Sequence, residues 1–137
     1  MKKILAFAGS NSSSSINKQL VDYVVFRLDN VKAKTLLLTD YDIPMYSEDI
    51  EKNEGFPVGI QELKQEIAAC DGLVIAVNEH NGSVSAFFKN ILDWLSRVDR
   101  SFFGERKILL MSTSPGGRGA AGALAVSYTH LTLPTKA

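Results

Sequence analysis

The sequence predicts an α/β fold built around a parallel sheet, and three observations carry that reading. Short apolar runs alternate with stretches of helical periodicity. The clearest run, Leu73 to Val77, is too short for a helix, has three β-branched members and stops at polar Asn78. Three loops that follow such runs, Gly9–Asn17, Asn78–Ser83 and Ser112–Gly119, are rich in Ser, Asn or Gly. Loops of that kind bind ligands at the carboxyl edge of such a sheet.

Taken in order, Lys2 to Ala8 reads as a strand buried on both faces and ended by Gly9. Ile16, Leu20, Val21, Val24 and Leu28 recur at spacings that give a helix one apolar face, with Asn30 as its stop. Lys34 to Thr39, with three consecutive leucines, reads as a second buried strand. The acidic stretch from Asp40 to Pro57 reads as a long loop. Pro57 suits a first helical position, and Ile60, Leu63 and Ile67 mark a helix to about Cys70. After Leu73–Val77, the apolar positions from Val84 to Val98 define a helix with a wide apolar face. Ile108 to Met111 then forms a fourth strand.

The final residues break the alternation. Between Ser114 and Ser127 there is too little chain for a loop, a crossover helix and a return to the sheet. Ser127 to Leu133 is strand-like in composition and would serve as an edge strand. Alternatively, residues 126–137 look like the translation of a transposon-based sequencing adapter, leaving residues 1–125 as the domain. The second reading is favoured.

Composition narrows the function. In 137 residues, 15 basic side chains balance 15 acidic ones, which leaves no net field for nucleic acid or anionic membrane. The single cysteine, Cys70, excludes a disulfide framework, suits a reducing cytoplasm and reads as a small buried apolar residue. Lys2-Lys3 precede only five apolar residues, too few for a secretory signal, and no run is long enough to span a membrane. A soluble cytoplasmic protein is expected.

The first loop reads as a phosphate cradle. A strand ending at Gly9 and a helix starting near Ser15 aim backbone N–H groups and the positive helix end at one point, and Ser and Asn add neutral donors. Without Gly-Lys-Ser/Thr it is not a triphosphate loop, and with one glycine it lacks the dinucleotide fingerprint. A flexible serine loop is the plain alternative. His80 beside Glu79 is either an acid–base group or an exposed imidazole; the other histidine, His130, sits in the suspect tail, so a metal site is not expected. Asn81-Gly82 either forms a turn or presents polar groups to a flat ring. Gly116, Gly117 and Gly119 allow close approach of a ligand or merely a tight turn, and Arg118 is either a pocket charge or solvated. Trp94, Phe87 and Phe88 read as core or subunit contact, and Lys89 with Asp93 as a surface pair.

Together these segments resemble the NADPH-dependent FMN reductase family. Its most specific traces are Asn81-Gly82-Ser83 and the run Phe88-Lys89-Asn90-Ile91-Leu92-Asp93-Trp94, similar to the family's Asn-x-Ser and Lys-Asn-x-x-Asp-Trp. Gly9-Ser10, Ser15 and Asn17, Ser114 to Gly117, and Ile43-Pro44-Met45-Tyr46 match further segments. Family members often carry Arg at the position of Ser12, and Pro and Tyr at those of Asn78 and His80. The resemblance implies a flavodoxin-like doubly wound sheet in the order 2-1-3-4, here without the family's fifth strand and last helix, so that Ile108–Met111 becomes an exposed apolar edge. It implies hydride transfer from NADPH or NADH through FMN to a quinone, azo, metal-oxyanion or flavin acceptor, in a homodimer or homotetramer. Ser10, Ser15, the N–H of Ile16 and Asn17 would hold the phosphate. Glu79, His80, Asn81, Gly82 and Ser83, with Ser114, Pro115, Gly116 and Gly117, would line the isoalloxazine. No protein acid or nucleophile is demanded of such a site. A flavodoxin-like electron carrier and a non-enzymatic domain for another phosphorylated ligand are the rival readings.

Overall fold

A computed structural model describes residues 1–132; Leu133 to Ala137, the end of the adapter-like segment, lie outside the described residues. Four parallel strands form the sheet: β1 (Lys2–Ala8), β2 (Val31–Thr35), β3 (Gly72–Val77) and β6 (Lys107–Ser112), in the spatial order β2-β1-β3-β6. This is the expected flavodoxin-like order. The crossovers are α1 (Ile16–Phe26), α3 (Val58–Ala68) and α4 (Ala86–Val98), and α5 (Ala121–Thr132) follows β6.

The strands place small and large residues on opposite faces. Ala6, Ala8, Val74 and Ala76 lie beneath α1, which packs on them with Leu20, Val21, Val24 and Val25. Leu5, Phe7, Leu73, Ile75 and Val77 point the other way, into a larger core closed by α3, α4 and α5. Trp94 is fully buried in that core, Phe88 nearly so, and Cys70 is buried as well. Arg106 finishes α3 by donating to the carbonyls of Ala68 and Cys70, acceptors that a helix end leaves without partners.

Four local expectations are corrected. The second strand is Val31–Thr35, earlier than the leucine run suggested. Leu36 and Leu38 are buried but Leu37 is half exposed, and the chain enters a 3-10 turn at Leu38–Asp40. Leucines needed by the core just past a strand look like the strand itself. The long loop contains α2 (Glu48–Glu54), whose Ser47 accepts a hydrogen bond from the Ile50 N–H and whose first turn carries three acids. Cap and charge outweigh the turn-forming composition around them. The loop after β3 is a hairpin, β4 (Glu79–His80) paired with β5 (Ser83–Val84). Asn81 and Gly82 turn it with φ of 53° and 80°, the left-handed pair a two-residue hairpin favours. Finally, residues 127–132 are helical within α5, and the edge-strand reading of that segment falls. Ser127 is fully buried there and Leu131 nearly so.

No strand among the described residues pairs with the outer edge of β6, where Leu109 is 50% exposed. An apolar hollow of about 740 Å³ lies beside it, walled by Ile4, Leu28, Val74 and Leu109. It belongs to the amino-terminal half of the sheet, away from the carboxyl edge where the loops lie.

An ion pair ties α2 to α4. Arg97 donates Nε and Nη2 to the two carboxylate oxygens of Glu51 at 2.8 and 3.0 Å. That hydrogen bond is the main reason the Glu51 carboxyl lies below its usual 4.5. A carboxyl lowered by folding adds stability above its unfolded value and loses it as pH falls through the folded one. Wild-type protein is therefore expected to lose stability more steeply than Glu51→Gln on acidification below about 4.5. Urea midpoints measured from neutral to acid pH check this, and parallel curves would contradict it.

Candidate functional site

The three loops meet at the carboxyl edge of the sheet. Loop 1 leaves β1 at Gly9, whose N–H donates to the Ala76 carbonyl and whose own carbonyl accepts from Ser85 Oγ at 3.1 Å. Ser85 also caps α4, accepting from the Phe88 N–H. A Cβ at position 9 would stand 2.8 Å from the Phe88 ring, so the glycine is demanded by the core beneath the loop.

Within loop 1 the serines brace one another. Ser10 Oγ accepts from the Ser12 N–H, and Ser12 Oγ from the Ser14 N–H. Ser15 caps α1 by accepting from the Lys18 N–H at 3.2 Å. In Ser10 and Ser15 these bonds use the oxygen and leave the hydroxyl hydrogen free to donate. The N–H groups of Ile16 and Asn17 open α1 and have no intrahelical carbonyl to serve. The first turn of α1 holds no acid, in contrast to α2 with its three. Its positive end therefore carries no carboxylate of its own.

Asn17 does more than the sequence suggested. It is 3% exposed, donates Nδ2 to the Thr113 carbonyl at 3.2 Å and accepts the Thr113 N–H at 3.0 Å. Its side chain thus joins loop 1 to loop 3, and one amide hydrogen remains for a ligand. Lys18 is held by Asp22 at 2.6 Å, so the loop presents neutral dipoles.

Ser10, Ser15, Ile16, Asn17, Glu79, Ser114 and Pro115 of the expected set line one crevice of about 170 Å³, together with Asn78 and Thr113. Its size suits a phosphate and an extended chain; complete small-molecule sites enclose roughly 300 Å³ or more. His80, Asn81, Gly82 and Ser83 lie farther along the hairpin, and the first three are exposed. Gly116 and Gly117 are likewise exposed outside the crevice, with no atom within 3.4 Å of where a Cβ would stand. Asn78 and Thr113 fall within the loops read from the sequence but were not singled out there as site residues. Asn78 was legible as the first polar residue after β3, whereas only geometry shows that the Thr113 backbone pairs with Asn17. The Asn78 Oδ1 is buried without a hydrogen-bond partner, a condition usually relieved by water, ion or ligand.

The family traces have structural explanations. Asn90 accepts from the Tyr46 N–H and donates to the Pro44 carbonyl at 2.9 Å, and Trp94 Nε1 donates to the same carbonyl at 2.8 Å. Tyr46 packs edge-on to the Trp94 ring at 4.8 Å. The Lys-Asn-x-x-Asp-Trp run therefore clamps the Ile43–Tyr46 segment onto α4. Lys89 and Asp93 form a half-exposed pair on that helix. Among the described residues no cluster of His, Cys, Asp or Glu could hold a metal ion, and no helix is long and apolar enough to cross a membrane.

Sheet order and a loop-lined crevice at the carboxyl edge define a flavodoxin-like protein. The sequence pattern of the NADPH-dependent FMN reductases matches residues 2–135, and the chain belongs to that family. A quinone reductase of Escherichia coli strain K12 is 39% identical over 80 residues, which cover 58% of this chain and 43% of that protein. A 2-hydroxy-1,4-benzoquinone reductase of a Burkholderia species is 34% identical over 136 residues, 94% of this chain and 67% of the relative. Among solved structures, FerB of Paracoccus denitrificans, a flavoenzyme NAD(P)H:(acceptor) oxidoreductase, superposes with a TM-score of 0.81 at 26% identity over 96% of this chain and 71% of its own. The chain thus spans 43% to 67% of the length of these two curated relatives.

Proposed function

We propose that this chain carries the FMN site of an NAD(P)H-dependent oxidoreductase whose acceptor is a quinone. The carrying observation is the acid-free start of α1, opening into the crevice between loops 1 and 3. Ser10, Ser15, the Ile16 N–H and the remaining Asn17 amide hydrogen would hold the phosphate, and the acceptor at Asn78 suits a ribityl hydroxyl. Glu79 to Ser83 and Ser114 to Gly117 would border the ring. FMN, when bound, supplies two-electron chemistry that accepts hydride from a nicotinamide and passes electrons on. The chain's own contribution is to bind, orient and shield. Quinone is favoured over azo, metal-oxyanion or free-flavin acceptors by the names of the two curated relatives. A homodimer or homotetramer in the cytoplasm, and an adapter origin for residues 126–137, complete the reading.

The test uses this chain beside one expressed from the gene's recovered genomic 3′ end. Purified protein is expected to quench FMN fluorescence on binding, and anaerobic mixing with NADPH to bleach the flavin band until a quinone restores it. A flavin that binds but stays oxidised would leave only the electron-carrier reading. A genomic read continuing unchanged through Ala137 would remove the adapter assignment.

A further inference from the structure

Glu79 lines the crevice, yet its carboxylate is turned to a different task. Its Oε1 accepts the N–H of Ala123, in the first turn of α5, at 2.9 Å across 44 residues of sequence. α5 has no acid of its own in that turn. It is preceded by Ala120, which cannot cap through its side chain. A carboxylate from the hairpin supplies both the missing acceptor and the charge favoured at a helix start.

The fit depends on Gly122. A Cβ there would fall 2.4 Å from Glu79 Oε1 and 2.8 Å from the Gly82 carbonyl oxygen. The helix backbone therefore lies directly against the hairpin at both its first strand and its turn. The hairpin needs such support, because its strands are two residues each and form a sheet of their own. An isolated two-stranded ribbon is marginal in water.

We infer that Glu79 is a positioning residue: by capping the first turn of α5, which precedes the adapter-like residues 126–137, it locks the 79–84 hairpin to the segment that follows loop 3, and so holds two walls of the crevice in register. The inference rests on the FMN reading for its functional consequence, but the lock itself exists without ligand. Hydrogen-bond reach is the essential property. Gln keeps the oxygen at the same distance without charge, whereas Asp keeps the charge but is one methylene too short.

Four variants test this: Glu79→Ala, Glu79→Asp, Glu79→Gln and Gly122→Ala. Amide hydrogen exchange of ligand-free protein reads the lock, and FMN fluorescence quenching reads its consequence. The Ala, Asp and Gly122 variants are expected to speed exchange at Ala123 and across 79–84 about tenfold and to raise the FMN dissociation constant about tenfold. That is the scale for losing a charge-assisted hydrogen bond. Glu79→Gln should stay within about threefold of wild type in both, since the hydrogen bond persists and only its charge assistance and the dipole contribution are lost. The opposite order, with Asp like wild type and Gln like Ala, would overturn the inference in favour of a direct charge effect. Unchanged exchange in Glu79→Ala would also overturn it. If wild-type protein binds no FMN, the functional reading fails while the exchange results still decide the lock. Should Glu79→Ala fail to fold, the contrast between Gln and Asp decides.

Discussion

Replacing Asn17 by Ala is expected to weaken FMN binding at least tenfold and to destabilise the ligand-free protein together with it. The side chain is almost wholly buried and makes two hydrogen bonds to the Thr113 backbone. Alanine strands both the N–H and the carbonyl of Thr113, which is half-buried, so each costs toward the lower end of the range of about 1–3 kcal/mol for a buried group left unpaired. It also releases loop 3 from loop 1. Asn17→Asp separates the two effects. Aspartate still accepts the Thr113 N–H, but its second oxygen cannot donate to the Thr113 carbonyl and faces it instead, so denaturant midpoints should fall for this variant too. Its negative charge beside the anion end should also weaken FMN more than riboflavin, which has no phosphate. Chemical denaturation and flavin titrations check both halves. Equal losses for FMN and riboflavin in the aspartate variant would place the phosphate elsewhere.

Trp94→Ala is the variant expected to cost most in stability. The indole is fully buried, so its removal should cost about 3–5 kcal/mol. A domain of this size is typically stable by only about 5–15 kcal/mol, so this one substitution should remove a substantial share of its stability. Trp94→Phe isolates the hydrogen bond. The Pro44 carbonyl keeps its bond from Asn90 Nδ2 at 2.9 Å, so losing the indole N–H should cost about 0.5–1.5 kcal/mol. Far-UV circular dichroism against urea measures both. A phenylalanine variant as unstable as the alanine one would show that the clamp on Pro44 outweighs the packing.

Much of the fold was legible because buried parallel strands and one-sided helices leave strong periodic traces. β1, β3, β6, α1, α3 and α4 all lie where apolar spacing puts them, within a few residues at their ends. The leucines at 36–38 misled because apolar composition reports burial and does not distinguish a strand from the turn beyond it. α2 was hidden by its acids, although Ser47 followed by Glu48, Asp49 and Glu51 is a helix-start signal in its own right. The site divides in the same way. That a helix would start near Ser15 could be read from neighbouring residues, and α1 begins at Ile16 with Ser15 as its cap. The bonds from Asn17 to Thr113 and from Glu79 to Ala123 join residues 96 and 44 positions apart. No local pattern encodes such a pairing, so each side chain read as a ligand contact from sequence is in the structure a brace between loops.

The alanines beneath α1 have a consequence for aim. With Ala6, Ala8 and Ala76 on that face and larger residues on the other, the helix can settle closer to the sheet than helices over Leu, Phe and Ile. Its height and slope are set by side chains that are hardly there. Since a dipole acts along its axis, the point in space where an anion is most favoured is decided partly by methyl groups in the middle of the sheet. Enlarging one of them would redirect the first loop without touching it.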